Sequence, residues 1–242
     1  MSFLEVSGLD ARYGLLRAVR GVGLTVEKGE VVALVGANGA GKTTLLRAVA
    51  GAHRPAGGSV RFDGTDVTAL PDHERVRLGI ALVPEGRRLF SDLTVRENLL
   101  LARAAQRDGR WDLDAVLEVF PNLTARLGNK AGTLSGGEQQ ATAIGRALMT
   151  NPELLLLDEV SLGLSPAAVE RVYGSLKTLI DSGTTVLLVE QDLERALATA
   201  DRVLCMLEGQ VVAQGAVGEM SRDRIVAAYF GLQRGEAQEA RS

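Results

Sequence analysis

The chain is poor in residues that build disulfides and metal clusters. Among its 242 residues it has one cysteine, Cys205, which excludes an internal disulfide and a cysteine-based metal site. Cys205 stands in an apolar run, so we predict that it is buried as a small hydrophobic residue. The two histidines, His53 and His73, are isolated near prolines. We therefore expect both at the surface.

Long apolar segments and an excess of positive charge are also missing. No stretch approaches the roughly 18 consecutive apolar residues of a membrane span. The first residues, MSFLEVSG, lack the charged-then-apolar pattern of a secretion signal. The net charge of −3 argues against binding to nucleic acid by bulk electrostatics. We therefore expect no nucleic-acid partner and, at most, peripheral attachment to a membrane.

The most informative segment is GANGAGKTT, which fits the phosphate-loop pattern G-x-x-x-x-G-K-[ST]. It follows the apolar run VVALV, which is typical of a strand buried in a parallel sheet. At such a strand–helix junction backbone N–H groups surround phosphates, Lys42 reaches the outer phosphates and the Thr43 hydroxyl can ligate Mg²⁺. The residues predicted here to bind a nucleoside triphosphate are Gly36, Asn38, Gly39, Ala40, Gly41, Lys42, Thr43 and Thr44.

A second motif, LLLLDE, places two acids directly after another apolar run. Open α/β sheets bind their ligands at the carboxyl ends of parallel strands. Asp158 is therefore predicted to hold Mg²⁺, and Glu159 to orient and polarise the attacking water. The alternative for Glu159 is a surface ion pair, which contributes little.

The third motif, LSGGEQQ, predicts a loop that leads into a helix over 138–149, and so a second helix N-terminus rich in N–H groups. With these residues the chain resembles the ATP-binding subunits of ABC transporters, whose signature is similar to LSGGQ. The resemblance implies a head-to-tail dimer with ATP between the subunits. In it Ser135, Gly136 and Gly137 contact the γ-phosphate bound to the opposite subunit.

The resemblance spans about residues 3–232 and looks closest to the LivF-type ATPases of branched-chain amino acid importers. These commonly have glutamate and glutamine where Glu85 and Gln191 stand in VPEGRR and LLVEQD, in place of a glutamine and a histidine. The resemblance implies that Glu85 senses nucleotide and can ligate magnesium, and that Gln191 contacts the γ-phosphate. The alternatives are a solvated loop acid and a strand-end cap. Val160 replaces the usual proline, which leaves the path of SLGL open.

Tyr13 stands where the family places an aromatic ring against adenine. Such stacking contributes about 1–3 kcal/mol per base. The alternative is a tyrosine packed over a sheet edge.

The implied fold class is α/β: a P-loop NTPase with a parallel core sheet, an N-terminal antiparallel β subdomain and a helical signature lobe. FLEV, GLTVE and SVRF predict the antiparallel strands, while IALV and TVLLV continue the core. We predict one ATPase domain over 1–232, with a helical lobe at about 94–134 that includes VRENLLLARAAQR and DLDAVLEVF. A helix is predicted from Pro166 to Ile180, capped by Ser165. The polar tail, 233–242, is predicted to be disordered.

These observations predict an ATP-hydrolysing motor subunit of an ABC importer with ATP and Mg²⁺ as ligands, most consistent with branched-chain amino acid transport. Its expected partners are a LivG-like ATPase or a second copy of the chain, together with membrane permease subunits at the cytoplasmic face. A urea or amide importer and a soluble ABC ATPase without a transport role are the alternatives. A third alternative, a small-molecule phosphotransferase with the same phosphate loop, gives no function to the LSGGEQQ motif.

Overall fold

The computed structural model describes residues 2–105 and 107–231, which fall into two compact units. The described residues of one unit lie within 2–69 and 187–231, and those of the other lie within 70–105 and 107–186. The tail predicted to be disordered, 233–242, lies outside the described residues.

The regular elements are numbered along the chain. The strands are β1 (Leu4–Tyr13), β2 (Leu16–Val26), β3 (Val31–Val35), β4 (Gly57–Phe62), β5 (Thr65–Asp66), β6 (Ile80–Val83), β7 (Leu154–Asp158), β8 (Thr185–Glu190), β9 (Arg202–Leu207) and β10 (Gln210–Ala216). The α-helices are α1 (Lys42–Val49), α2 (Asp72–Leu78), α3 (Val95–Leu100), α4 (Leu113–Val119), α5 (Gly136–Leu148), α6 (Pro166–Asp181), α7 (Leu193–Thr199) and α8 (Arg222–Phe230). Short 3₁₀ helices cover Leu101–Ala105, Pro121–Arg126 and Ala131–Thr133.

The first unit contains the predicted antiparallel sheet, with strand order β2-β1-β4-β5. In β1, Leu4 lies opposite Val26 of β2 and Phe62 of β4. The buried residues of β1 are mainly apolar and its exposed residues mainly polar, as expected for a sheet with one face on the core. The Phe3 and Phe62 rings contact each other below it, with centroids 4.8 Å apart.

The first unit also contains parallel strands. Every residue of β3 is buried, and β3 pairs in parallel with β9, so that Val35 lies opposite Cys205. Helices α7 and α8 pack over these strands through Ala196, Ile225 and Ala228. The predicted burial of Cys205 is confirmed, and burial raises the pKa of its thiol to about 11.

The second unit has its own parallel pair, β6 and β7, with Ile80 opposite Leu154 and Val83 opposite Leu157. The four leucines of β7 are at most 1% exposed, which explains why the run contains no polar residue before its end. Parallel strands in the core, as the sequence predicts, are thus confirmed.

The predicted helical segment is mostly helical but more broken than its pattern indicates. The run VRENLLLARAAQR forms α3 only as far as Leu100 and then continues as a 3₁₀ helix. Thr94 and Glu97 form a capping box at the start of α3. Val116 of α4 is buried, and so is Phe120, the residue that follows the helix. No helix in the described part of the chain is long and apolar enough to cross a membrane.

Candidate functional site

The phosphate loop connects β3 to α1 in the first unit, and its backbone has no room for side chains at two glycines. Gly36 and Gly41 have φ angles of 155° and 102°. A Cβ at Gly36 would overlap the carbonyl oxygen of Met206, and a Cβ at Gly41 would overlap that of Ala18. Both positions therefore require glycine for conformation and for space.

Lys42 is the first residue of α1 and its side chain folds back over the loop. Its Nζ donates hydrogen bonds to the carbonyl oxygens of Gly36 at 2.7 Å and Ala37 at 3.2 Å. Lys42 is only 4% exposed. Lys42 is thus a buried cation at the rim of the loop, with hydrogen bonds to two main-chain carbonyls.

The start of α1 faces the same loop. Asn38 and Gly39 are exposed, whereas Ala40 is buried. Gly41 precedes the helix and provides no side-chain cap. The Gly41 carbonyl accepts a helical hydrogen bond from the Leu45 N–H. The amides of the first helical turn, which include those of Thr43 and Thr44, thus point out of the N-terminus, where an anion is favoured.

The two acids after β7 lie at the carboxyl end of that strand in the second unit. Asp158 is 1% exposed, while Glu159 is partly exposed. Glu159 has a φ of 49°, a left-handed conformation that is unfavourable for a residue with a side chain and is often found at functional sites. Its carbonyl accepts a hydrogen bond from Leu162, which closes a turn. Val160, in place of the usual proline, is 1% exposed inside that turn.

The signature residues form the N-terminus of α5. Ser135 is exposed and caps the helix in a capping box with Glu138. The Glu138 carboxylate accepts from the Ser135 hydroxyl at 2.7 Å, from the Ser135 N–H at 2.9 Å and from Arg126 Nε at 2.8 Å. The Ser135 hydroxyl first, then its N–H and Arg126, hold the pKa of Glu138 below its ordinary value despite partial burial.

The two signature glycines allow close packing in the second unit. A Cβ at Gly136 would lie 3.2 Å from Leu164 Cδ2, and a Cβ at Gly137 would lie 2.9 Å from that of Ala168. The SLGL loop and the start of α6 thus pack beside the N-terminus of α5.

The segment that contains Glu85 is attached to α5. Glu85 itself is exposed. Two residues on, Arg87 donates to the side chain of Gln139 at 2.8 Å, and Arg146 donates to the Arg88 carbonyl at 2.8 Å. The sequence gives no reason to single out Arg146, because arginines in helices are usually exposed.

Tyr13 and Gln191 belong to the first unit. Tyr13 is 47% exposed at the β1–β2 turn, and the centroid of its ring lies 4.6 Å from that of His53. His53 is partly buried, and its Nε2 is inaccessible to solvent, so the surface position predicted for it holds only in part, whereas His73 is exposed as predicted. Gln191 is partly exposed after β8, and its N–H donates to the buried Glu190 carboxylate at 3.1 Å.

Comparisons with known proteins agree with these features. The ABC transporter family model matches residues 19–161. The branched-chain amino acid transport ATP-binding protein BraG of Pseudomonas aeruginosa is 47% identical over 214 residues, covering 88% of this chain and 91% of BraG. The probable branched-chain amino acid transport ATP-binding protein LivF of Archaeoglobus fulgidus is 39% identical, covering 90% of this chain and 93% of LivF.

A solved structure of similar fold is the dimeric post-hydrolysis state of an ATP-binding cassette bound to ADP and phosphate. It aligns with a TM-score of 0.79 and 26% identity, covering 88% of this chain and 98% of the cassette. The match to relatives extends over almost their whole length, and the family model covers more than half of this chain. The resemblance predicted from the sequence is therefore confirmed, and the chain belongs to the ABC transporter family.

Proposed function

We propose that the chain is the ATP-binding and ATP-hydrolysing motor subunit of an importer for branched-chain amino acids. It acts as a single ATPase domain over 1–232 with its helical lobe at about 94–134. The observation that carries the chemical part is the phosphate loop: two glycines without room for a Cβ and a buried lysine folded over the loop. BraG and LivF, both named for branched-chain amino acid transport, support the choice of solute.

In the proposed site the base stacks on Tyr13 and the phosphates lie along the loop from Gly36 to Thr44. Lys42 exchanges its carbonyl acceptors for outer-phosphate oxygens. Glu159 orients a water and accepts a proton from it as the water attacks the γ-phosphorus. The bond between this phosphorus and the bridging oxygen breaks, which releases ADP and phosphate. Gln191 donates a hydrogen bond to the γ-phosphate.

The donors available suit Mg²⁺. The proposed ligands are the Thr43 hydroxyl and the Asp158 carboxylate, with Glu85 direct or through water. These are oxygen donors, which Mg²⁺ prefers. The described residues contain no group of three or more histidine, cysteine, aspartate or glutamate side chains arranged to hold a metal ion. An Mg²⁺ ion held by the proposed ligands would supply positive charge against the β- and γ-phosphates.

The signature completes the site in a partner. Ser135, Gly136 and Gly137 are proposed to contact the γ-phosphate bound to the opposite ATPase, either a LivG-like subunit or a second copy in a head-to-tail dimer. The dimeric cassette bound to ADP and phosphate supports the formation of a dimer. Permease subunits hold the pair at the cytoplasmic face of the membrane, and closure by ATP is passed to them.

Two variants test the ATPase assignment. Lys42→Ala is expected to lose tight ATP binding, whereas Glu159→Gln is expected to keep binding and lose turnover. Equilibrium ATP binding and phosphate release are measured for both. A Glu159→Gln chain that hydrolyses ATP at the wild-type rate refutes the assignment.

The solute is tested separately, by reconstituting the chain with its permease in vesicles. ATP-driven uptake of leucine, isoleucine and valine, but not of urea, is expected. Uptake of urea alone supports the alternative importer, and ATP hydrolysis that no solute or permease changes supports a soluble ABC ATPase.

A further inference from the structure

The segment after Glu85 has an unusual backbone. Three successive residues, Gly86, Arg87 and Arg88, have φ angles of 76°, 65° and 49°. Left-handed residues normally occur singly, and arginine has no local side-chain bond that favours this conformation. Such a backbone persists only where the surrounding structure fixes it.

Helix α5 fixes this segment from one side. Arg146 Nη2 donates to the carbonyl of Arg88 at 2.8 Å and of Arg87 at 3.4 Å. Arg87 in return donates to Gln139 Oε1 at 2.8 Å. Gln139 and Arg146 are seven residues apart, or about two helical turns, and so lie on one face of α5. We call these three side chains, Arg87, Gln139 and Arg146, the clasp.

The surroundings of the clasp add to its rigidity. The guanidinium of Arg146 lies 5.8 Å from the centre of the Phe90 ring, and burial lowers the pKa of Arg146. Asn98 is fully buried and holds the next part of the segment by accepting from the Phe90 N–H and donating to the Phe90 carbonyl. The strained residues are thus fixed between the α5 face and the Asn98 amide.

The clasp also reaches the signature. Nη2 of Arg87 lies 3.3 Å from the position of a Cβ at Gly136, the first residue of α5. Any larger residue at Gly136 would press on this guanidinium. One side chain therefore lies between the Glu85 segment and the residue that follows Ser135.

We propose that Arg146 and Arg87 are positioning residues that make the Glu85 segment and the signature helix move as one body. A displacement of the α5 N-terminus, on contact with a partner's nucleotide, then displaces Glu85 directly. This inference rests on the proposed function for its direction of signalling. The clasp itself can be measured without nucleotide.

The first test is hydrogen–deuterium exchange of the nucleotide-free chain, followed in a peptide over residues 84–94. Arg146→Met is expected to raise exchange there by about tenfold or more, since local opening no longer breaks charge-assisted hydrogen bonds. Arg146→Lys is expected to restore only part of the protection, because an ammonium cannot reproduce a planar guanidinium. Arg96→Met, which removes an exposed arginine of α3, is the control and should match wild type.

Unchanged protection over 84–94 in Arg146→Met overturns the clasp. If Arg146→Met fails to fold, Arg87→Met tests the other half of the clasp, since it removes the bond to Gln139 and the contact at Gly136; raised exchange over 84–94 is again expected, and unchanged exchange overturns the clasp. No step of this arm depends on ATP binding, so its failure is distinct from failure of the proposed function.

The second test adds ATP to the Glu159→Gln background together with the partner ATPase. In the parent, we expect exchange to fall both in the α5 peptide and in the 84–94 peptide. With Arg87→Met and Arg146→Met both added, which removes the bond to Gln139 and the bonds to the Arg87 and Arg88 carbonyls, we expect the α5 response to remain and the 84–94 response to be lost. If exchange in the 84–94 peptide of the variant still falls with ATP as it does in the parent, Glu85 is not positioned through the clasp.

Discussion

Replacing Lys42 by methionine should remove most of the stabilisation that ATP confers on the chain. The Lys42 Nζ now bonds to two loop carbonyls, and the same cation is proposed to bond phosphate. A hydrogen bond to a charged group contributes about 1.5–3 kcal/mol, so ATP affinity should fall by about ten- to a hundredfold.

The size of the effect follows from linkage. At ATP one hundred times its dissociation constant, ligand binding stabilises a protein by about 2.7 kcal/mol. With the weakened affinity the same ATP concentration gives only about 0.3–1.3 kcal/mol. For a chain of this size about 1 kcal/mol shifts the melting temperature by roughly 2–4 °C, so the wild-type shift of about 5–11 °C should be at least halved.

The measurement is thermal unfolding with and without ATP, in the presence of magnesium. Lys28→Met is the matched control, because Lys28 is an exposed lysine of the same unit, near the Phe3 ring. An ATP-induced shift in Lys42→Met equal to that of wild type would refute the role given to this lysine.

Three further outcomes are expected. Gln191→Ala should slow ATP hydrolysis by about ten- to a hundredfold, because one hydrogen bond is lost. Gln191→His should stay active, and Gln191→Glu should be the slowest variant. Steady-state ATPase assays with the partner ATPase measure these rates, and an alanine variant as fast as wild type contradicts the prediction. Asn98→Ala should lower the free energy of unfolding by about 2–4 kcal/mol, because it removes a buried amide that forms hydrogen bonds with four backbone groups. Urea unfolding measures this free energy, and a decrease below about 1 kcal/mol contradicts the prediction. Burial raises the pKa of Glu30, but hydrogen bonds from Arg202 and the Glu27 N–H outweigh burial and leave the pKa lowered. The stabilisation of the fold by ionised Glu30 is therefore present above its ordinary pKa of 4.5 and is lost as pH falls through the folded pKa. Urea unfolding between pH 7 and pH 3 should show a smaller decrease in the free energy of unfolding at low pH for Glu30→Gln than for wild type.

The elements that the sequence predicts well are those whose pattern is local. Four leucines before Asp158 predict a buried parallel strand, and LSGGEQQ predicts a helix from 138, two residues after the observed start of α5 at Gly136. The helix after Thr94 is less predictable, because the apolar period continues past Leu100 while the backbone changes to a 3₁₀ helix.

Contacts between distant segments could not be predicted in this way. The bond from Arg87 to Gln139 joins residues 52 positions apart, and nothing in the sequence near either residue indicates it. The contact of Tyr13 with His53 likewise depends on how the β1–β2 turn and the segment after α1 fold over one another. Sequence patterns predict on which strand, helix or loop each candidate residue lies. The side chains that contact each candidate residue depend on the tertiary structure.

The position of His53 has a consequence for nucleotide affinity. The imidazole of His53 packs against the Tyr13 ring at a tilt of 44°, so the tyrosine has a packing neighbour before a base arrives. If adenine stacks on Tyr13 as proposed, it meets a ring that is already packed, and less ordering on binding favours affinity. In that case His53 sets part of the dissociation constant through Tyr13.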